Sequence, residues 1–253
     1  MRLTHKNYFT PFNTYLTASK IKDYLFDPYY FYRKHFLREI KEKSLDVFVI
    51  GSATDAWLTQ GKRVFNKKFK VPKNRNLKNP PTTHTELTPA QFETVCGICE
   101  AVEKHDAYKD LKDHKPQVIL KIDENLGDFF CGRAGILDWL QIKKNKAIIT
   151  DLKTSNTINE YFYQKNCEEF GYYLSASMYC FLVEYNFPEV DKIEFRHLVV
   201  EKDRHNTYPI QTFILDPKKI QKAFSLLEET TLKIKKTKVW KPKNVSWKDA
   251  IKI

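Results

Sequence analysis

The chain has 253 residues, of which 42% are hydrophobic, and its formal net charge at pH 7 is +12. A chain of this length can bury one substantial core, and the positive charge favours a polyanionic partner such as nucleic acid. Glycine is scarce, and no GxxxxGK[ST] loop, GxGxxG fingerprint or GxSxG sequence occurs, which disfavours ATP motors and dinucleotide enzymes.

The cysteine count and the opening residues bear on the compartment. Five cysteines, an odd number in a long chain, do not form the pattern of a disulfide framework. The opening residues lack the apolar core of a signal peptide, and no apolar run is long enough to span a membrane. We therefore expect a protein of the reducing cytoplasm that does not enter a membrane.

Two short helices are predicted near the start of the chain. The first has Ser19 as its N-cap and an apolar side that includes Ile21. The second follows Asp27 as N-cap, with Pro28 at the first helical position. The aromatic cluster Tyr29–Tyr32 then favours helix packing over the stacking of unpaired bases, which is the alternative.

A third helix is predicted from Val47 to Gln60. Gly51 and Asp55 lie four residues apart on it and therefore share a face. The segment from Arg63 to Pro81 is rich in Lys, Asn and Pro and contains no acid. It is predicted to be an irregular basic loop, which is either solvated or in contact with phosphates.

A capping box formed by Thr88 and Gln91 predicts a further helix to about Lys104. Cys96 and Cys99 in this helix have the spacing of a zinc or redox pair. A structural zinc site needs four ligands, and no second such pair accompanies them. Both cysteines fall on the apolar stripe of the helix, so core packing is predicted for them.

An antiparallel meander is predicted for the middle of the chain. It begins with an alternating strand at Gln117–Asp123, and a turn then leads to another strand through Phe129–Phe130. A strand at Ile136–Leu140 and a strand at Ala147–Leu152 follow, and Lys144–Asn145 would be the two-residue turn of a tight hairpin between them.

This hairpin register would bring two carboxylates together. With Lys143 facing Lys146, Asp138 lies across from Asp151, with Cβ atoms about 4.5–5.5 Å apart. Lys153 points to the same face as Asp151, because alternate strand residues share a face. Two carboxylates and a lysine around a hard cation are the groups that metal-assisted phosphodiester hydrolysis requires. A solvated hairpin with incidental charges is the alternative.

The remaining chain is predicted to contain helices and two strands. A helical region covers roughly Asn159 to Tyr185, strands follow at Ile193–Val200 and Tyr208–Leu215, and a helix covers about Pro217 to Ile234. The chain then continues into a tail that is rich in lysine.

This tail, from Lys233 to Lys243, holds six lysines and no acid. Contact with phosphates is slightly favoured over a disordered solubilising end, because Trp240 offers an apolar anchor. The lysines for which we predict DNA contact are Lys235, Lys236 and Lys238.

A family resemblance follows from the predicted hairpin. Gly135-x-x-Asp138 followed by IITDLKTS, Ile148–Ser155, resembles the core of the PD-(D/E)XK nuclease superfamily, and the nearest branch is that of the RecB-like and RecE-like exonucleases. The resemblance implies an α/β, restriction-endonuclease-like fold whose mixed, mostly antiparallel central sheet is flanked by helices. It also implies a single domain over 1–253, with a helical part at about 16–110, a catalytic sheet at about 115–215, and a helix and basic tail at 216–253.

The resemblance implies a role for each residue of the hairpin. Asp138, Asp151 and Lys153 would be catalytic, and one or two Mg²⁺ or Mn²⁺ ions would be held by Asp138, Asp151, the Leu152 carbonyl and Asp55. Lys153 would orient the attacking water or help to deprotonate it, with a pKa lowered by the nearby metal ions. Asp55 replaces the metal-binding histidine of the family, and an ordinary helix aspartate is the alternative.

The resemblance also implies residues that contact DNA. Tyr172, Ser175 and Tyr179 share a helix face that resembles the last motif of the family, with Ser175 in place of its glutamine. Packing on the sheet is the alternative for this face. Gln117 replaces a glutamate and could bind water or phosphate without bringing a charge. Asp27 replaces the cysteine of the iron–sulfur members, so no cluster is expected.

The function implied is that of a metal-dependent DNA exonuclease in recombination, repair or phage DNA processing, in the cytoplasm of a bacterium or a phage-infected host. One alternative is a DNA-binding protein of the same fold that has lost catalysis, which the Asp55, Gln117 and Ser175 departures favour. Others are a structure-specific or restriction-type endonuclease and, least favoured, a basic scaffold protein. No zinc and no nucleotide cofactor are expected. A single-strand annealing protein is the partner that the resemblance suggests, and a homo-oligomer is left open.

Overall fold

The computed structural model of the chain describes residues 3–8, 14–40, 46–72, 85–127, 130–202, 207–238 and 240. The α-helices within these ranges are α1 (His5–Tyr8), α2 (Ala18–Phe26), α3 (Pro28–Tyr32), α4 (Asp46–Gln60), α5 (Lys62–Lys68), α6 (Pro89–Lys104), α7 (Asp106–Lys109), α8 (Glu160–Glu169), α9 (Tyr172–Asn186) and α10 (Pro217–Lys236). The strands are β1 (Tyr15–Leu16), β2 (Lys115–Asp123), β3 (Gly132–Lys143), β4 (Lys146–Ser155), β5 (Lys192–Glu201) and β6 (Ile210–Ile214). A π-helical turn covers Arg33–Leu37, and a 3₁₀ turn covers Asp110–Asp113.

The six strands form one mixed sheet around β3. Along one edge, β3 pairs with antiparallel β2 over nearly its whole length. Its other edge has two partners, which are parallel β1 at residues 132–133 and antiparallel β4 at residues 139–143. Parallel β5 and antiparallel β6 continue the sheet beyond β4. The predicted mixed, mostly antiparallel sheet is therefore confirmed.

Hydrophobic cores lie on both faces of this sheet. One core packs α2, α3, α9 and α10 against the sheet, and Phe31, Leu137 and Met178 are fully buried in it. The other packs α4, α5 and α6 against the opposite face, around Trp57 and Ile98. The α/β class with helices flanking the sheet follows from these two layers. Within the described residues, no helix combines the length and the apolar character needed to cross a membrane.

Local signals in the sequence correctly predicted the starts of two helices. The Asp27 carboxylate accepts hydrogen bonds from the backbone N–H groups of Tyr29 and Tyr30 at 2.6 and 3.1 Å, so the predicted start of α3 is confirmed. The Thr88 and Gln91 capping box opens α6, with reciprocal hydrogen bonds of 3.1 and 2.7 Å. These contacts form within one turn of chain and therefore depend little on the rest of the fold.

Two interpretations of side chains as packing residues also agree with the structure. Phe31 of the aromatic cluster has no exposed surface and packs edge-on against Tyr24 and Phe36. Cys99 is fully buried in the core beneath α6, while Cys96 is half-buried beside it. Burial raises the pKa of both thiols.

Two predictions for the first half of the chain were wrong. The N-cap of α2 is Thr17 rather than Ser19, because Thr17 is the extended residue whose hydroxyl accepts the Lys20 N–H at 3.4 Å. Arg63 to Lys68 is helical in α5 rather than an irregular loop, because Phe65 is buried against Trp57 while the basic side chains remain at the surface. The rest of that basic segment, from residue 73 onward, lies outside the described residues.

Three predictions for the second half also needed correction. Phe130 is a buried loop residue rather than part of a strand, and its carbonyl accepts the Leu126 N–H at 3.3 Å; Phe129 lies outside the described residues. The long helical region is divided into α8 and α9 by Gly171, whose φ of 61° is left-handed. β6 begins at Ile210, because Tyr208 has a φ of 46°, which does not fit an extended strand.

Candidate active site

The candidate site lies where β3 exchanges one partner for another. The β3–β4 register runs from Lys143↔Lys146 to Trp139↔Thr150, so Asp138 and Asp151 hold the next position. Between the residues that pair with β1 and those that pair with β4, residues 134–138 of β3 pair with neither of these strands. We call this segment the fork. The predicted hairpin register is therefore confirmed up to the last pair before the two carboxylates.

At the fork, side chains replace strand-to-strand hydrogen bonds. The Asp138 Oδ2 atom accepts the backbone N–H of Leu152 at 2.8 Å, so a carboxylate binds the β4 edge. Farther along the fork, the Tyr8 hydroxyl hydrogen-bonds to the backbone of Ile136. The carboxylate of Asp138 is thus held against the edge of β4.

Gln117 joins this strand arrangement to α4. It lies in β2 between the pairs Pro116↔Trp139 and Val118↔Leu137, opposite Asp138, and its φ is 49°. A left-handed residue inside a strand turns its side chain away from the regular direction. The Gln117 amide donates a hydrogen bond of 3.3 Å to the Asp55 carboxylate. Gln117 therefore contacts a site carboxylate, and the predicted contact with DNA stays a prediction.

Asp55, Asp138 and Asp151 form a group of like charges at the fork. Burial raises the pKa of Asp138 well above its usual range, and Asp55 and Asp151 raise it further. Burial also raises the pKa of Asp55 to about 6; the Thr59 hydroxyl opposes this shift and Asp151 adds to it. The structure therefore brings the three predicted carboxylates close enough to repel one another.

Lys153 is the positive charge that balances this group. Its ammonium forms an ion pair with the Asp151 carboxylate and lies 5.1 Å from the ring centroid of Tyr172. Burial opposes the charge of Lys153, but Asp151 and Asp138 outweigh it and the pKa is raised. The predicted lowering of this pKa presupposes metal ions beside it.

Sequence reasoning missed His197 and Tyr163. The parallel pairing of β4 and β5 sets His197 beside Asp151, with its Nε2 atom 3.6 Å from the carboxylate. The Nδ1 atom of His197 lies 2.8 Å from the Tyr163 hydroxyl, in a hydrogen bond. Burial lowers the pKa of His197 to about 3, so the ring is neutral at physiological pH. No motif marks these residues, because their position depends on a pairing between distant strands.

The three residues predicted on one face of α9 have different surroundings in the structure. Tyr179 packs on the fork, since a Cβ at Gly135 would lie 2.8 Å from its ring, and it stacks on Phe195 at 6.3 Å. Tyr179 thus makes the packing contact that was its alternative. Tyr172 lies beside Lys153, and Ser175 is half-buried one turn along the helix. Contact of these residues with DNA stays a prediction.

The predicted lysines of the tail lie on another part of the fold. Lys235 lies in the last turn of α10, next to the turn at Gly127. A Cβ at Gly127 would lie 3.1 Å from the carbonyl oxygen of Lys235. Gln117 and Asp123, near the two ends of β2, are separated by about 20 Å at the usual strand rise. Trp240 is the expected apolar anchor, because it stacks on Tyr32 with ring centroids 5.5 Å apart. DNA contact by Lys235, Lys236 and Lys238 stays a prediction.

The donor set of the site has the chemistry of a hard divalent cation. Within the described part of the chain, no three His, Cys, Asp or Glu side chains form a ready-made metal-binding group. Even so, the raised pKa values of Asp138 and Asp55 mark negative charge that Lys153 alone does not neutralise. Carboxylate and carbonyl oxygens suit Mg²⁺ and Mn²⁺, and a cation between the carboxylates would remove their repulsion. The residues present therefore fit such an ion.

Comparisons with known proteins agree with the fold. A family model described as "PDDEXK-like domain of unknown function (DUF3799)" matches residues 19–246. A crystal structure from Eubacterium rectale, named "Putative exonuclease", is similar with a TM-score of 0.69 and 19% identity, over 93% of this chain and 87% of that chain. At this identity the likeness shows the fold, which is the restriction-endonuclease-like fold.

Two further comparisons add little. The crystal structure of SSO0001 reaches a TM-score of 0.33 and 12% identity, over 89% of this chain and 85% of that chain, and supports no inference. Among curated proteins, none matches this chain in sequence.

Proposed function

This chain belongs to the PDDEXK-like domain family, and so to the PD-(D/E)XK nuclease superfamily, and on that premise we propose that it is a Mg²⁺- or Mn²⁺-dependent DNA exonuclease. One observation carries the proposal. Three mutually repelling carboxylates and the ammonium of Lys153 meet at the fork, and all of them except Asp55, which comes from α4, belong to the hairpin that carries the superfamily motif. Buried like charges are unfavourable for folding, and such groups cluster at catalytic sites.

Each site residue has a role in this proposal. Asp138 and Asp151, the carbonyl of Leu152 and Asp55 would hold one or two metal ions. Bound there, the ions would acidify a water molecule and neutralise charge on the scissile phosphate. The raised pKa of Lys153 keeps its ammonium charged at neutral pH. Lys153 would orient the water or a phosphate oxygen, or help to deprotonate the water once bound metal ions lower the pKa of this lysine.

The wider context is also proposed. The positive charge of the chain and the superfamily favour DNA as the partner. The name of the Eubacterium rectale structure favours cleavage from an end over internal cleavage. We propose one nuclease domain over 1–253, acting in recombination, repair or phage DNA processing in the cytoplasm. A single-strand annealing protein as partner and a homo-oligomer belong to the same proposal.

A catalytically silent DNA-binding protein is the second candidate. The ion pair between Lys153 and Asp151 favours it, because that carboxylate is already partly neutralised. Gln117, where the family has a glutamate, also brings no charge to the site. This candidate predicts DNA binding that weakens with salt and no metal-dependent turnover.

The deciding experiment incubates end-labelled linear duplex, single-stranded and closed circular DNA with Mg²⁺ or Mn²⁺, beside Asp151→Ala. We expect mononucleotides from linear DNA, intact circles and no release by the variant. Cutting of closed circles would establish an endonuclease instead. Salt-sensitive binding without cleavage in either metal would leave the silent DNA-binding protein.

A further inference from the structure

A second lysine shares the aromatic ring that contacts Lys153. Lys22 of α2 places its ammonium 5.8 Å from the ring centroid of Tyr172, while the Lys153 ammonium lies 5.1 Å from the same centroid. Lys22 precedes Lys153 by 131 residues in the sequence and matches no motif of the hairpin. Two cations therefore converge on one tyrosine at the edge of the candidate site.

The backbone beside Tyr172 makes room for the Lys22 side chain. A Cβ at Gly171 would lie 3.2 Å from Lys22 Cε, so a larger residue would press on the aliphatic part of the lysine. Gly171 also precedes α9 without a side chain that could cap its first N–H groups. These groups add partial positive charge to the neighbourhood of the two ammonium groups.

Among the described residues no carboxylate forms an ion pair or hydrogen bond with Lys22, although Asp151 and Asp23 attract its charge from a distance. Its neighbour Lys20 donates to the Tyr15 carbonyl at 2.7 Å, whereas the Lys22 ammonium lies over the Tyr172 ring. The adjacent Asp23 is already bound by Lys34 and His35, each at 2.8 Å. Burial and then the charge of Lys153 lower the pKa of Lys22 to about 8. A half-buried ammonium in this position is unfavourable unless an anion joins it.

We infer that Lys22 binds a phosphate of the DNA substrate next to the scissile phosphate, and that Lys22, Tyr172 and the start of α9 form this binding position. The inference rests on the proposed function, because it takes the fork as the place where DNA is cut. Lys22 thus contacts the strand, Tyr172 supports the two ammonium groups, and Lys153 serves the reacting phosphate. The arrangement adds a substrate-binding residue that lies more than a hundred residues away from the motif in the sequence.

Lys22→Gln and Lys22→Arg test the inference, with Lys219→Gln as a matched control. Lys219 also lies over a tyrosine, 5.3 Å from the Tyr173 centroid, but it is paired with Glu168 at 2.9 Å. The probe is a fluorescein-labelled single-stranded oligonucleotide, measured by anisotropy in EDTA at several salt concentrations. KM and kcat are then measured with Mg²⁺ on the same DNA.

We expect Lys22→Gln to raise the Kd about tenfold and to reduce the slope of log K against log salt by about one unit. KM should rise more than kcat falls, Lys22→Arg should restore most of the binding, and Lys219→Gln should bind like the wild type. Because Arg keeps the charge, its rescue separates phosphate contact from a fold that tolerates only lysine.

Three results would overturn the inference. One is wild-type affinity and salt slope in Lys22→Gln while the wild type still cleaves DNA, which leaves the proposed function intact. Another is failure of Lys22→Arg to recover binding, which makes the role of Lys22 structural. The third is a wild type that neither binds nor cuts DNA, which removes the proposed function as well.

Discussion

Two charged residues on β3, Arg133 and Asp138, lie five residues apart and have opposite electrostatic surroundings. Arg133 has a side chain only 5% exposed, and its guanidinium forms ion pairs with Glu124 and Glu228. Burial opposes its charge, but the two glutamates outweigh it and the pKa of Arg133 is raised. Asp138 instead faces Asp55 and another carboxylate, and the pKa of Asp138 is raised because its charge is disfavoured.

The difference separates a structural charge from one that we propose to be functional. Arg133 is complete within the chain, since its partners neutralise it and the ring centroid of Phe181 lies 4.2 Å from the guanidinium carbon. Asp138 is incomplete, because burial and the two neighbouring carboxylates outweigh the Lys153 ammonium and the Leu152 N–H, which favour its charge. A folded protein keeps an unfavourable group of this kind where a ligand or a reaction supplies the missing partner.

The largest expected effect tests the incomplete group. Lys153→Ala should lower the rate of DNA cleavage about 10³-fold or more, because the reacting groups lose their orienting cation. DNA binding should stay measurable by anisotropy. Lys146→Ala, which removes a β4 lysine that pairs with Glu194 at 2.7 Å, is the control and should cleave normally. Equal loss of binding and cleavage in Lys153→Ala would contradict the role given to it.

Replacement of Arg133, the complete group, should change the free energy of unfolding. Arg133→Met should lower the free energy of unfolding by about 3 kcal/mol, because Glu124 and Glu228 lose the charge that neutralises them. Urea denaturation followed by circular dichroism measures this loss. The triple variant that also carries Glu124→Gln and Glu228→Gln should recover part of it. A loss below about 1 kcal/mol would show that solvent already neutralises the two glutamates.

Replacing a carboxylate by its amide should change the stability of the protein in opposite directions at the two charges. Asp138→Asn keeps an oxygen for the Leu152 N–H and removes a repelling charge, so metal-free protein should gain about 1 kcal/mol of stability while cleavage is lost. Glu124→Gln takes one of the two carboxylates from Arg133 and should lose about 1 kcal/mol. Thermal unfolding in EDTA compares them. A shift of the same sign in both would remove the distinction.

The hairpin of the site could be predicted from the sequence, because it forms between residues that are close together in the chain. A two-residue turn at Lys144–Asn145 fixes the register, and strand alternation then fixes the faces of Asp138, Asp151 and Lys153. The position of Asp55 followed from helix spacing, together with the resemblance. These inferences needed only neighbouring residues and one known pattern.

The remaining parts depend on contacts that no local pattern contains. The neighbour of Asp151 is His197 because β5 joins β4 in one particular parallel register, and nothing in Ile193–Val200 specifies that choice. Lys22 reaches Tyr172 through the packing of α2 beside α9. The composition of α5 is typical of a loop, and burial of Phe65 overrides it.

The stability of metal-free protein should also depend on pH. The folded pKa of Asp55, about 6, exceeds its ordinary value of 3.8, so the folded state holds this proton more tightly. The free energy of unfolding should therefore fall as pH rises from about 4 to about 6, by at most about 1 kcal/mol per pH unit from this group. Asp55→Asn should flatten that decline in urea denaturation series. An unchanged slope would assign the titration to other groups.

The partners of β3 also determine when the strand can be completed during synthesis. Tyr15 pairs with Gly132, and its hydroxyl donates to Asp123 at 2.6 Å across 108 residues. Glu228, which neutralises Arg133, follows that residue by 95 positions. Asp138 thus leaves the ribosome long before the last partner of its strand exists. Because a domain folds as a unit, the carboxylates assemble only after translation has passed α10, so a truncated chain would carry the catalytic motif without a working site.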